Sequence, residues 1–217
     1  MTDRPILFSG PMVRALLAGT KTQTRRVLNP QPPADLGLVG IYAPKLVAVF
    51  GYVTPDADCK VALRYMPGDR LYVREAWKTH AAYDDISPAA MGGDEPILYV
   101  ADGAHQTWGY PAISKIGRFR QGMHMPRWAS RLTLIVTDVR VQRLQAINEA
   151  DAVAEGCGWR GTGNSDDNDK LVGDPVPAYS RLWDGLNASR GFGWDVNPWV
   201  VAVSFTVERR NIDEVAA

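Results

Sequence analysis

The chain has 217 residues, 46% of them apolar and 22% charged, and its 24 basic and 24 acidic side chains leave no net charge. This composition suits one soluble globular domain and excludes a disordered, fibrous or disulfide-dense chain. The longest apolar runs, 46–50 and 199–203, are too short to span a bilayer. In chain order, residues 5–9 read as a short strand, after which Ser9 can cap a helix with Pro11 in its first turn. Met12, Val13, Leu16 and Leu17 form its apolar stripe, and Gly19 stops it. Residues 21–26 therefore begin just past a helix end, in a turn or at the start of a strand. Asn29 to Pro33 is a Pro-rich break. Residues 46–53 read as a strand, 66–69 as a turn, and 70–77 as one further strand. Residues 81–95 look like an inserted loop, 97–101 a strand, and 102–126 show no clear period. Residues 131–144 form the longest strand expected. A helix starts at Glu149, capped by Asn148, with Asp151 three residues on and Gly156 as its stop. Residues 161–169 read as a loop. Tyr179, Leu182, Trp183 and Leu186 lie at helical spacing, and 199–207 is a closing strand. Trp159, Trp183, Trp194 and Trp199 read mostly as core or helix-face residues. The strands and helices do not alternate regularly. That pattern argues against a doubly wound parallel sheet and for a small barrel or mixed sheet with helices at its ends.

Charge is unevenly distributed. No acid lies between Arg4 and Ala34, where Arg14, Lys21, Arg25 and Arg26 are basic. None lies between Ile113 and Thr137, where Lys115, Arg118, Arg120, Arg127 and Arg131 are basic. Two such windows imply either a surface that attracts phosphates or solvated arginines segregated by chance. Cys59 and Cys157 are far apart and outside any CxxC pattern, which fits a reducing compartment. His80, His105 and His124 show no zinc spacing with the cysteines, so no metal is expected. The N-terminus shows no secretory pattern, and a cytoplasmic location with no membrane partner is expected. No glycine-rich nucleotide loop or serine elbow is present, so no cofactor is expected.

Lys21, Thr24 and Glu75 form the first chemical candidate. A threonine hydroxyl needs a base before it attacks. Lys21 can be that base only if it touches Thr24, which requires a turn or bulge, since in a flat strand the two face opposite ways. A carboxylate at Glu75 can orient the lysine or act as the base itself. Spacing alone is a weak signal, because exposed Lys-x-x-Thr and a lone glutamate are common. Arg74 and Glu75 sit side by side ahead of Trp77, so a strand must turn one charge inward, where it needs a partner or a ligand. His124, Arg127, Trp128 and Arg131 combine imidazole, guanidinium and indole, which can hold phosphate and stack on a base. The bland alternative puts Trp128 in the core and the arginines in solvent.

Gly-Thr-Lys-Thr-Gln-Thr-Arg-Arg at 19–26, with Gly-Asp-Arg-Leu-Tyr-Val-Arg-Glu-Ala-Trp at 68–77, resembles the ASCH domain family, above all its longer phage- and prophage-encoded members. The signature Gly-x-Lys-x-x-Thr-x-Arg is matched at Gly19, Lys21, Thr24 and Arg26. Residues 124–131 and Asn197-Pro198-Trp199-Val200 are similar to the same proteins. The resemblance implies an α+β, PUA-like fold: a small mixed β-barrel with flanking short helices. It implies one domain over 1–210, with insertions near 30–65, 80–115 and 157–177 and a frayed tail at 211–217. It implies an amidohydrolase that removes an acyl group from the exocyclic amine of a cytidine such as N(4)-acetylcytidine. Lys21, Thr24 and Glu75 would then be catalytic. Substrate or RNA would meet Arg25, Arg26, Arg74, Trp77, His124, Arg127, Trp128 and Arg131. Other relatives are ribonucleases or RNA binders, so a basic groove with aromatic stacking is the alternative expectation. A third is an accessory protein acting through protein contacts.

Overall fold

In the computed structural model, residues 2–51, 59–107, 113–158 and 174–214 are described. The expectations for Trp159, the 161–169 loop, residues 52–53 and the last tail residues 215–217 fall outside them. The strands are Asp3–Leu7 (β1), Gln23–Val27 (β2), Gly37–Tyr42 (β3), Val47–Gly51 (β4), Cys59–Ala62 (β5), Arg70–Arg74 (β6), Trp77–Lys78 (β7), Ile97–Tyr99 (β8), His105–Gln106 (β9), Thr133–Arg143 (β10) and Trp199–Glu208 (β11). The helices are Gly10–Leu17 (α1), Glu149–Ala154 (α2) and Pro175–Asn187 (α3), with several single 3-10 turns between. The α+β class holds. No helix among the described residues is long and apolar enough to cross a membrane.

The chain divides into two compact units. The first comprises Met1–Gly19, Gly68–Ile135 and Thr206–Ala217. The second comprises Thr20–Pro67 and Val136–Phe205.

In the first unit β1 runs parallel to β6, Asp3 opposite Arg70 and Leu7 opposite Arg74, and the start of β10 lies antiparallel on the other side of β6. Helix α1 follows β1 and buries Val13 and Leu16. Ser9 stands at its N-cap position, but its hydroxyl makes no cap bond. A cap hydroxyl accepts from the second or third helical N–H, and Pro11 removes the second. The strand expected over 70–77 breaks after Arg74. Residues beyond the break join a different ladder, in which Trp77 pairs with Tyr99 and exchanges backbone bonds with Arg120. Trp77, Ile97, Tyr99, Met125 and Ala129 form a core there.

In the second unit β2 pairs antiparallel with β11, Thr24 opposite Val203 and Arg26 opposite Val201. Strands β3, β4 and β5 make an antiparallel meander. Phe50 of β4 meets the Trp199 ring edge-on, 4.9 Å between centroids. Helix α2 begins as its sequence dictates: the Asn148 side chain accepts from the Asp151 N–H at 2.8 Å, and Gly156 takes a left-handed φ of 85° just past its end. Helix α3 buries Ala178, Tyr179 and Trp183 against Leu144, Ile147, Ala152 and Val200.

No closed barrel is found among the described residues. Among the described residues β1 has β6 as its strand partner and β2 has β11, so neither ladder closes on itself. The frayed tail is corrected at its start. Asn211 and Ile212 are buried, and the Asn211 amide donates to the carbonyls of Arg127, Trp128 and Ser130 at 3.0, 3.0 and 2.7 Å. Replacing it, as Asn211→Leu, removes the side-chain donor that all three carbonyls share, and urea unfolding of the full chain is expected to show a loss of about 2 kcal/mol. An unchanged midpoint would refute this anchoring role.

Candidate functional site

Lys21 and Thr24 lie in the second unit and Glu75 in the first. Each charged member of the trio has a partner within its own unit, and neither partner belongs to the trio.

Lys21 sits two residues before β2 and forms an isolated antiparallel bridge with Glu155, just past the end of α2. Its side chain is 0% exposed. The ammonium donates to Glu155 Oε2 at 2.9 Å and to the Glu155 backbone oxygen at 2.7 Å. A buried ammonium needs a counter-charge and acceptors, and the carbonyl end of a helix adds partial negative charge. Arg25, also with a 0% exposed side chain, donates to Glu155 Oε1 at 3.1 Å, to Asp151 Oδ2 at 2.6 Å and to Gln23 Oε1 at 2.5 Å. The Gln23 amide returns to Asp151 at 3.3 Å and reaches Ser204 at 3.1 Å. Arg140 holds Asp151 from a further side at 3.0 Å. The Arg25 guanidinium also lies 5.9 Å from the centre of the Tyr179 ring, and burial raises that phenol well above its ordinary pKa.

Lys21, Gln23 and Arg25 thus converge on Asp151 and Glu155, so they share one face of the strand. Alternation directs Thr24 and Arg26 to the other face. Thr24 is buried. Arg26 is half-buried, and burial holds its guanidinium below the ordinary pKa. The turn that a Lys-activated threonine would need is replaced by extended chain from Gln23 to Val27.

In the first unit Glu75 is buried and accepts from Arg131 Nε and Nη2 at 2.8 and 3.0 Å. Burial pushes the Glu75 carboxyl up, Arg131 pulls it back, and the net shift is upward. The other donors of Arg131 are held by Asp102 at 2.9 and 3.0 Å, and its guanidinium stacks 4.0 Å from the centre of the Tyr99 ring. Arg127 is equally engaged, by Asp213 and, at 2.6 Å, by Asp3. Arg120 donates to the carbonyls of Tyr83 and Ile86 and covers the Trp77 ring at 5.3 Å. Trp77 is fully buried in the core, and Trp128 packs half-buried against the same cluster. The phosphate-binding arginines expected at 127 and 131 therefore spend their forks on carboxylates. Arg74 and the exposed His124 line a pocket of about 390 Å³ with Ser87, Pro88, Ala89, Met123, Met125 and Pro126. Arg74 bonds the Met123 carbonyl at 3.1 Å and the Tyr72 hydroxyl at 3.2 Å.

Glu155 and Asp151 were missed in the sequence, Asp151 being read only as part of a cap. A signal was present. The two acids lie four residues apart, at the spacing that stacks side chains on one helix face, in a segment otherwise rich in Ala and Val. No cluster of His, Cys, Asp and Glu suited to a metal is found among the described residues.

No family model matches the chain, and no curated protein matches it. Among solved structures it is similar to protein EF3133 from Enterococcus faecalis V583, described with the family model DUF984, at 10% identity. The similarity covers 100% of this chain and 86% of that one, with a TM-score of 0.41. The likeness is distant.

Two outcomes follow for the buried network. Lys21→Met strips Glu155 of one of its two cations, and loss of one partner from a buried pair costs about 3–5 kcal/mol. The double variant Lys21→Met/Glu155→Gln is expected to lose less than the two single losses added together, read from urea midpoints. Additive losses would mean that the pair is not coupled. Asp151 gives a pH signature. Burial alone would raise its pKa, but the bond from Arg140 and the charges of Arg25 and Arg140 outweigh it and lower the value below 3.8. A depressed folded pKa supplies stability above the unfolded value, which is lost as pH falls through the folded one. The stability gap between the native chain and Asp151→Asn should therefore be full above about pH 5 and close below about pH 4. A gap independent of pH would contradict the ion pair.

Proposed function

We propose that this chain is an amidohydrolase of the ASCH-like, PUA-like kind that removes an acyl group from the exocyclic amine of a modified cytidine, with Lys21 at the centre of its chemistry. The observation that carries the reading is the fully buried Lys21 ammonium, held 2.9 Å from a buried carboxylate at the signature position. Amide hydrolysis needs a nucleophile relieved of its proton and a leaving amine supplied with one, and positioned groups contribute roughly 10²–10⁴ in rate to such transfers. An ammonium beside a carboxylate offers both functions. Because Thr24 faces away from Lys21 along the strand, a water molecule is the nucleophile this arrangement favours. Because Lys21 is covered, substrate reaches it only after the residues over it move, so turnover includes an opening step.

The RNA-groove alternative is less well supported, since Arg127 and Arg131 are already neutralised by Asp213, Asp3, Glu75 and Asp102.

Incubation of the purified chain with N(4)-acetylcytidine is expected to release cytidine and acetate in equal amounts. Lys21→Ala should lower kcat by about 100-fold or more, while Thr24→Val, which removes only the hydroxyl, should remain within about threefold of the native rate. A Lys21→Ala protein that turns over at the native rate would sink the reading. Loss of activity in Thr24→Val would restore the threonine as nucleophile.

A further inference from the structure

We propose that Glu155 is the proton-accepting partner of Lys21 and that Arg25 is the residue that positions it, an assignment that rests on the amidohydrolase reading above. The two oxygens of Glu155 are held by different cations: Oε2 meets Lys21 Nζ at 2.9 Å and Oε1 meets Arg25 Nη1 at 3.1 Å. Two cations at two oxygens fix the plane of a carboxylate. Arg25 is itself fixed, by Asp151 at 2.6 Å and by Gln23, and Asp151 by Arg140. The chain of contacts runs from exposed Asp138 through Arg140, Asp151 and Arg25 to Glu155 and ends on Lys21. Glu75, the carboxylate pointed to by the sequence, lies in the first unit and is paired with Arg131, not with Lys21.

The step balances as follows. The oxygen of a water molecule bonds to the acyl carbon while its proton passes to Glu155. The carbon–nitrogen bond then breaks as Lys21 gives a proton to the exocyclic nitrogen. The proton on Glu155 returns to Lys21, and water has been added across the amide to give a carboxylic acid and the free amine. Glu155 is thus a catalytic residue. Arg25 acts only through it.

The test compares native chain, Glu155→Gln, Glu155→Asp and Arg25→Lys as full-length proteins on N(4)-acetylcytidine across pH. Glu155→Gln is expected to lower kcat by about 100-fold with KM within about threefold, and to remove the acid limb of the kcat profile. Glu155→Asp keeps a carboxylate and should keep the limb at reduced kcat. Arg25→Lys keeps the charge but not the fork, and should lower kcat about tenfold while moving the limb. A folded Glu155→Gln with native kcat and an intact limb overturns the assignment, because a merely neutralising carboxylate would leave the profile unchanged. Should that variant not fold, native kcat in both Glu155→Asp and Arg25→Lys overturns it. A second readout is independent of turnover: the proton–nitrogen NMR signal of the Lys21 ammonium, protected in the native chain, should broaden in Glu155→Asp. If the native chain does not deacylate while that signal depends on Glu155, the reaction falls and the pairing stands. If deacylation survives Glu155→Gln, the assignment falls and the reaction stands.

Discussion

A lysine ammonium with no exposure to solvent is the constraint around which the second unit is arranged. Taken out of water, the charge must be met by an opposite charge and by acceptors for its protons. Glu155 supplies both, through its carboxylate and its backbone oxygen. The geometry that makes this possible is a match of two periods. Alternate residues on a strand advance by about 6.6 Å. Residues four apart on a helix advance by about 6 Å. Lys21 and Gln23 can therefore stand opposite Glu155 and Asp151 with little drift, and Arg25, a further step of about 6.6 Å along the strand, reaches back to both acids with its long side chain. The caps of α2 follow from the same requirement. A start at Asn148 and a stop at Gly156 place both acids on one face of a short segment, beside the strand that carries the cations.

The first unit meets its own buried charge in a different manner. There a single guanidinium, Arg131, is shared between Glu75 and Asp102 and lies on Tyr99. A planar fork with several donors suits two carboxylates at once, which a lysine could not satisfy with the same geometry. Arg127 repeats the device with Asp3 and Asp213. These pairings decide how the acid-free windows of the sequence are to be read. A window without acids is not a basic surface when acids from remote parts of the chain fold onto it. Asp3 comes from the first strand and Asp213 from the tail, and neither is near residue 127 in sequence.

Features governed by neighbours in sequence were legible. Gly19 and Gly156 adopt the left-handed backbone that glycine tolerates best, Asn148 caps its helix, and the apolar spacing of Tyr179 and Trp183 marks the buried side of α3. Local signals misled where a second influence intervened. Pro11 removed one of the two N–H groups that Ser9 could have capped. Pairing with Tyr99 and Arg120 drew Trp77 out of the strand that ends at Arg74. Long-range partners were out of reach. Lys21 and Glu155 are 134 residues apart, and nothing local to either reports the other. The signature therefore singled out Lys21, whereas nothing in it pointed to the carboxylate that Lys21 meets.

Burial affects the proposed chemistry in two opposed ways. A dry environment strengthens every electrostatic contact within it, so an ammonium held there acts on a developing charge with little screening. The same dryness keeps substrate away. The two demands are compatible if the residues over Lys21 move without parting it from Glu155. Helix α2 has 6 residues, far short of the length at which an isolated helix is stable in water, about 12–15 residues. It keeps its place through Asp151 and Glu155 and through the packing of Ala152. The residues that hold the helix over Lys21 are thus the same ones that complete its charge network. Any change that loosens them acts on access and on chemistry together, which is why a pH profile separates the two roles and a loss of rate alone does not.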